Sequence, residues 1–359
     1  MNRLLLKTLS ASLLFISLLI GAQVSASAQG EIYLVEYEVS GSPLNVAVEA
    51  PGRIWYTLPD EGKIGLIEVS GNNATETLYD PQGSSEPYDL VVYQGKVWFT
   101  DRMRDRIGVL TISNGSFTYY AAATDSAPTA IDVTSNGTIW FIESTTATLT
   151  ELNPAGGGTF TRHAYPQSNA ELGDLDIINN AEVWVTATNR NELAAFDTIV
   201  GEFFVEQTSG PSGTATVEGP RGIAIDHAGR PWMTIMGGNG NASLIARYAP
   251  ATTFRIRTTP TGTPDAEPAQ IAFYNAGPIW YLFYSEAAVG KVARLAILPN
   301  GAIGGTVEAS VGDSAAAPWG AAVDANGQAW FAVQGNNTIA GWQPPYADLL
   351  TAYLPIINR

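Results

Sequence analysis

The sequence predicts an all-β fold: a seven-bladed β-propeller of four-stranded antiparallel blades, its ring closed by the mature N-terminal strand. Three observations predict it. A tryptophan phrase recurs along the chain, a proline phrase precedes it at a fixed distance, and tight-turn dipeptides lie between the two. Self-similarity at a period of 40 to 50 residues is the signature of radially repeated sheets.

The tryptophans are Trp55, Trp98, Trp140, Trp184, Trp232, Trp280 and Trp330, separated by 43, 42, 44, 48, 48 and 50 residues, in the phrases RIWYT, KVWFT, TIWFI, EVWVT, RPWMT, PIWYL and QAWFA. The phrases SPLNVAV, EPYDLVV, APTAIDV, GPRGIAI, EPAQIAF and APWGAAV stand eleven or twelve residues upstream, with ELGDLDI as the variant that lacks proline. Asn136-Gly137, Ala228-Gly229 and Asn326-Gly327 fall between the two phrases and favour tight hairpins. A third strand follows each tryptophan (KIGLIEV, RIGVLTI, KVARLAI), and a fourth (SFTYYA, TFTRHAY, EFFVEQ) precedes the next blade. One such meander cannot bury both of its faces, whereas a ring of them can. The last unit supplies three strands, so EIYLVEYEV near the N-terminus is expected to complete it and remove a bare edge. The repeated tryptophans are expected to pack blade against blade.

The first residues, MNRLLLK followed by LSASLLFISLLIGA and Ala26-Ser27-Ala28, read as a signal peptide cleaved after residue 28. The propeller then spans residues 29–343, and the expected location is secreted, periplasmic or extracellular. The tail 344–359 begins with Pro344-Pro345 and ends YLPIINR. It reads equally as a sorting or anchoring tail or as a segment packed on the ring. The formal charge is −16, or −18 without Arg3 and Lys7, which argues against nucleic acid as a partner. No later segment is long and apolar enough to span a membrane. With no cysteine there is no disulfide or thiolate chemistry. A monomer that meets a small molecule or an extracellular partner is the expectation.

Propellers present ligands at the mouth of the central channel, and the residue after each blade's proline is expected to stand there. That ring reads Leu44, Tyr88, Thr129, Asp174, Arg221, Ala269 and Trp319. Asp174 and Arg221 are expected to pair, either as a structural lock on the channel or as a ligand anchor flanked by Tyr88 and Trp319. The same face should carry the run Asp101-Arg102-Met103-Arg104-Asp105-Arg106, which is either a solvated loop or a set of guanidinium forks for a carboxylate or phosphate. Asp101 and Glu143 are candidate ligands for a divalent cation, magnesium or calcium. His163, in an outer strand, and His227, in a lower turn, are too far from the mouth and from each other for a Ser-His-Asp arrangement.

The blade phrases resemble the streptogramin (virginiamycin B) lyase family, whose blades repeat a G-P-x-x-I…D-G-x-I-W-F-T-E…I-G-x-I pattern, over about residues 31 to 343. The resemblance implies a magnesium-assisted elimination that opens a cyclic depsipeptide at its ester. It also implies a histidine directly after the proline of the last two blades and a glutamate three residues beyond the last tryptophan. Those positions hold Ala269, Trp319 and Val333 here, so base, proton donor and metal ligand are missing. Two classes of function stay open. One is a lyase-like propeller that binds a ligand or partner without that activity; the other is a metal-assisted enzyme, either a lyase with a relocated site or a propeller lactone hydrolase.

Overall fold

The computed structural model describes residues 19–21, 23–25, 34–208, 219–237, 242–249, 256–298 and 301–343, the first two segments as backbone only. Seven antiparallel sheets form the ring; the strands of blades two to six pair in chain order, and blades one and seven take further strands from the N-terminal stretch at their outer edges. Blade two is typical: Pro87–Tyr93 lines the channel, followed outward by Lys96–Asp101, Arg106–Thr111 and Ser116–Ala121. The innermost strands of blades one and three to seven are Val46–Ala50, Pro128–Val133, Leu172–Ile178, Pro220–Ile225, Pro268–Asn275 and Pro318–Val323. They lie side by side around the axis.

The expected closure is present. Leu34–Glu38 pairs antiparallel with Thr338–Trp342 and becomes the fourth strand of blade seven, with Leu34 opposite Trp342 and Glu38 opposite Thr338. Leu34, Val35 and Tyr37 are buried there, so the closing strand supplies core as well as hydrogen bonds. Leu19–Gly21 pairs with the outer strand of blade one, Asn73–Tyr79, and Gln23–Ser25 pairs with Leu34–Glu38. Residues 344–359 lie outside the described residues. Among the described residues no helix is long and apolar enough to cross a membrane.

Six of the seven tryptophans pack as expected, each against the neighbouring blade. Trp98 meets Ile131 and Phe141 of blade three, Trp55 meets Leu90 and Phe99 of blade two, and Trp330 meets Ile54 and Tyr56 of blade one. Truncating such a side chain costs about 3–5 kcal/mol. The lower hairpins anchor them: Asp226 accepts from the backbone of Ala228 and Arg230 and from the Trp232 indole, and Asp324 does the same for Asn326, Gln328 and Trp330. Glycine is required where rings lie over the backbone. A Cβ at Gly65 or Gly108 would overlap the ring of Tyr56 or Phe99.

Blade six departs from the expected repeat. Ala272 is opposite Phe283, as Val91 is opposite Trp98 and Ala322 opposite Trp330. The seventh equivalent of the core tryptophan is therefore Phe283, and Trp280 sits three residues below it. The cause is a longer hairpin, with strands Pro268–Asn275 and Trp280–Glu286. Trp280 instead packs edge-on against His227, with 4.0 Å between ring centroids.

A hydroxyl relay ties the ring together near its upper end. Thr100 accepts from the Asp89 N–H at 3.0 Å and donates to the Thr129 carbonyl of the next blade at 2.6 Å. Thr57, Thr186, Thr234 and Ser285 repeat the relay in blades one, four, five and six. The innermost strand has no further strand to pair with, so its polar backbone groups depend on such side chains.

Candidate functional site at the channel mouth

The upper mouth is built by the first residues of the innermost strands and by the loops joining second to third strands. In blades two, three, four, six and seven that loop is one 3₁₀ turn closed by a left-handed residue: Asp105, Ala147, Asn191, Gly290 or Asn337. This fixed geometry aims the residues on either side of it.

Tyr88, Arg221 and Trp319 stand at the mouth, each half-buried. The Arg221 guanidinium lies over the Trp319 ring, 4.8 Å from its centroid, and the Arg102 guanidinium lies over the Tyr88 ring at 5.3 Å. Ala269, on the blade between Arg221 and Trp319, is buried and carries only a methyl group. Burial lowers the Arg221 pKa, while Glu267 and Tyr88 act in the opposite sense. The Tyr88 hydroxyl is raised, chiefly by burial, against the opposing pull of Arg102. The mouth is thus a band of two cation–aromatic stacks, each worth on the order of 1 kcal/mol.

Asp174 does not pair with Arg221. Blade four begins at Leu172 opposite Ala187, just as blade two begins at Pro87 opposite Asp101. Gly173 therefore holds the ring position, and Asp174 matches Asp89 one residue deeper. The missing proline hid this offset. The Asp174 carboxylate accepts from the N–H of Leu175 at 2.9 Å and of Ile223, on blade five, at 3.0 Å. Asp89 does the same for Leu90 and for Ile131 of blade three, and Asp176 for Ile177 and for Ile225 of blade five. Asp132 accepts from Val133 and is hydrogen-bonded to Asp176.

These four carboxylates are staples across the inner edges of blades two to five. Burial is the largest influence on each. It raises Asp89 to about 7, Asp174 to about 8 and Asp176 to about 6, and it raises Asp132 with further help from Asp176. Asp89, Asp132 and Asp176 were not singled out from the sequence. Their signal is an acid inside the apolar phrases EPYDLVV, APTAIDV and ELGDLDI.

The arginine run does not form a set of converging forks. Arg102 turns to Tyr88 and to Glu86 at 3.5 Å, Arg104 Nε donates to the Ser84 carbonyl, and Arg106 turns inward to Asp101 at 2.7 Å and over the Tyr119 ring at 3.7 Å. The run borders an upper groove of about 370 Å³ that includes Asp60, Glu61, Glu86 and the exposed Met103.

Asp101 and Glu143, the candidate cation ligands, each meet an arginine side chain. Asp101 is fully buried and accepts from Ser85 Oγ, the Glu86 N–H and Arg106. Glu143 is met by Arg162 Nε at 3.1 Å to both of its oxygens. Among the described residues no group of three or more acidic or histidine side chains is placed to hold a metal ion. Glu286 occupies the equivalent position in blade six. It is fully buried with neither oxygen hydrogen-bonded, and burial and Glu308, opposed by Lys291, hold it at about 8. The blade-six offset concealed it. His163 packs between Trp140 and Phe196, away from the mouth, and burial lowers its pKa.

These features define a seven-bladed propeller with an arginine–tryptophan stack across its upper mouth and a carboxylate-stapled channel below. Comparison with known proteins gives the lineage: the chain belongs to the Virginiamycin B lyase family, whose model matches residues 31–341. It is 28% identical over 204 residues to the virginiamycin B lyase of Nocardia farcinica (strain IFM 10152), a match covering 56% of this chain and 66% of that protein, just under two thirds. Among solved structures, a streptogramin B lyase superposes with a TM-score of 0.72 at 24% identity, over 87% of this chain and 97% of that one. The selenomethionine-substituted virginiamycin B lyase of Staphylococcus aureus superposes with the same score and identity, over 88% and 100%.

Proposed function

We propose that this protein is a secreted, monomeric member of the lyase family that binds a small molecule at the upper mouth without streptogramin lyase activity. The observation that carries the reading is the replacement of the three side chains the resemblance calls for. Ala269 and Val333 are fully buried and apolar, and Trp319 offers an indole already stacked under Arg221. None of the three carries a carboxylate or imidazole to ligate magnesium or move a proton, so these positions do not fit the metal that the resemblance implies.

What remains suits recognition. The Arg221 guanidinium forms no ion pair or hydrogen bond with any described residue, and Trp319 and Tyr88 offer aromatic surface beside it. A small ligand with an anionic or carbonyl-rich end and an apolar ring matches that set. Residues 1–28, read as a signal peptide, support secretion.

The test is a small-molecule screen by thermal shift, repeated on Arg221→Ala and Trp319→Ala. Mouth ligands are expected to lose at least tenfold in affinity in both variants while the unliganded midpoint changes little. Hits that bind both variants as tightly as the native protein would remove the mouth from consideration.

A further inference from the structure

On the opposite, lower side of the ring, a groove of about 310 Å³ separates blades five and six. It is lined by Trp232, Arg247, Arg257, Thr259, Gly301 and Ile303, among others. Strand register puts three of these in one row: Trp232 is opposite Arg247, and Arg247 is opposite Arg257. Directly opposed residues share a face of the sheet, so both guanidinium groups rise from the same surface as the indole.

Arg247 is held in place before any ligand arrives. Its guanidinium carbon lies 5.2 Å from the Trp232 ring centroid, and one terminal nitrogen donates to the Gly301 carbonyl at 3.4 Å. Its Nε is buried without a partner. A third arginine approaches the same wall. A Cβ on Gly301 would lie 3.2 Å from Arg247 and 3.9 Å from Arg230. Arg230 is paired with Asp226 at 2.7 Å, and that carboxylate also takes the Trp232 indole and two backbone N–H groups, so it is fully engaged. Arg257 is exposed and forms no ion pair with any described residue.

Arg230, Arg247 and Arg257 are therefore close together, and Asp226, the carboxylate that acts on Arg247, is paired with Arg230, in a chain whose formal charge is −16. Crowding like charges without a counterion is unfavourable, and burial together with Arg230 and Arg257 lowers the Arg247 pKa, against Asp226. A small anion in the groove relieves that repulsion. Guanidinium edges match the paired oxygens of such a group.

We infer that this groove binds an oxyanion (phosphate, sulfate or a carboxylate) between Arg247 and Arg257. The site is independent of the upper mouth. The test is calorimetric titration of the intact protein with sodium phosphate, sodium sulfate and sodium acetate at constant ionic strength, with chloride as the reference. The variants are Arg257→Gln, Arg247→Gln and, as a control on another blade, Lys96→Gln. Saturable binding of at least one of these oxyanions is expected, with a dissociation constant in the millimolar range or tighter, and the three arms assign the head group. Losing one charge-assisted hydrogen bond should weaken it about tenfold or more in Arg257→Gln and Arg247→Gln, and leave Lys96→Gln unchanged. Arg257 is exposed, so its variant keeps the fold even if the Arg247 variant does not. Absence of saturable heat with all three anions, or native affinity in Arg257→Gln, would overturn the inference.

Discussion

Raising the pH should loosen the ring, and Asp174 should account for a measurable share of the effect. Its carboxyl is 7% exposed and bridges blades four and five through Leu175 and Ile223. Burial holds it at about 8, against an ordinary 3.8. A group raised on folding favours the folded state fully below its unfolded pKa, and that contribution is lost as pH rises through the folded value. The window is therefore pH 4 to 8. A displacement of that size corresponds to on the order of 5 kcal/mol at the alkaline end.

Asp174→Asn removes the titration but keeps only one good acceptor, so one of the two N–H groups is left facing an amide. That costs about 1–3 kcal/mol at pH 5, where the native carboxyl is neutral. At pH 9 the native protein has lost its own contribution, and the variant should equal or exceed it. Urea unfolding of both proteins at half-unit steps from pH 5 to 9 measures the two slopes. Parallel slopes, or a native stability that rises across this range, would refute the reasoning.

Two other perturbations test the ring itself. Deleting residues 29–40 removes Leu34–Glu38 and bares the edge of Thr338–Trp342, so calorimetry should show a loss of cooperative unfolding or a much lower midpoint. Deleting 344–359, which lies outside the described residues, should leave the midpoint nearly unchanged; equal losses would contradict the closure. Thr186→Val strands a buried N–H of Asp174 and the Arg221 carbonyl and should cost about 2–4 kcal/mol in denaturant melts, whereas a change below about 0.5 kcal/mol would show that the relay is dispensable.

The architecture was legible because its signals are periodic. Proline, tight turn and tryptophan recur in step, and a spare alternating strand lies at the chain end. The errors arose where one signal dropped out or moved. Leu172 replaces proline in blade four, which shifted Asp174 onto the ring position belonging to Gly173. The longer hairpin of blade six put Trp280 in the place of Phe283 and hid Glu286. Composition also cannot reveal direction: the arginines at 102, 104 and 106 are close in sequence, yet their guanidinium groups diverge. The Arg247 and Arg257 pair shows the converse, since only strand register brings them together.

The central claim, a lyase-family propeller without the lyase reaction, is tested most directly by incubating the purified protein with virginiamycin B and magnesium. The antibiotic is then followed by liquid chromatography and mass spectrometry. With Ala269, Trp319 and Val333 at the positions where the resemblance calls for two histidines and a glutamate, the intact ring is expected to persist at the rate of the buffer control. Ring-opened product accumulating well above that control would contradict the account.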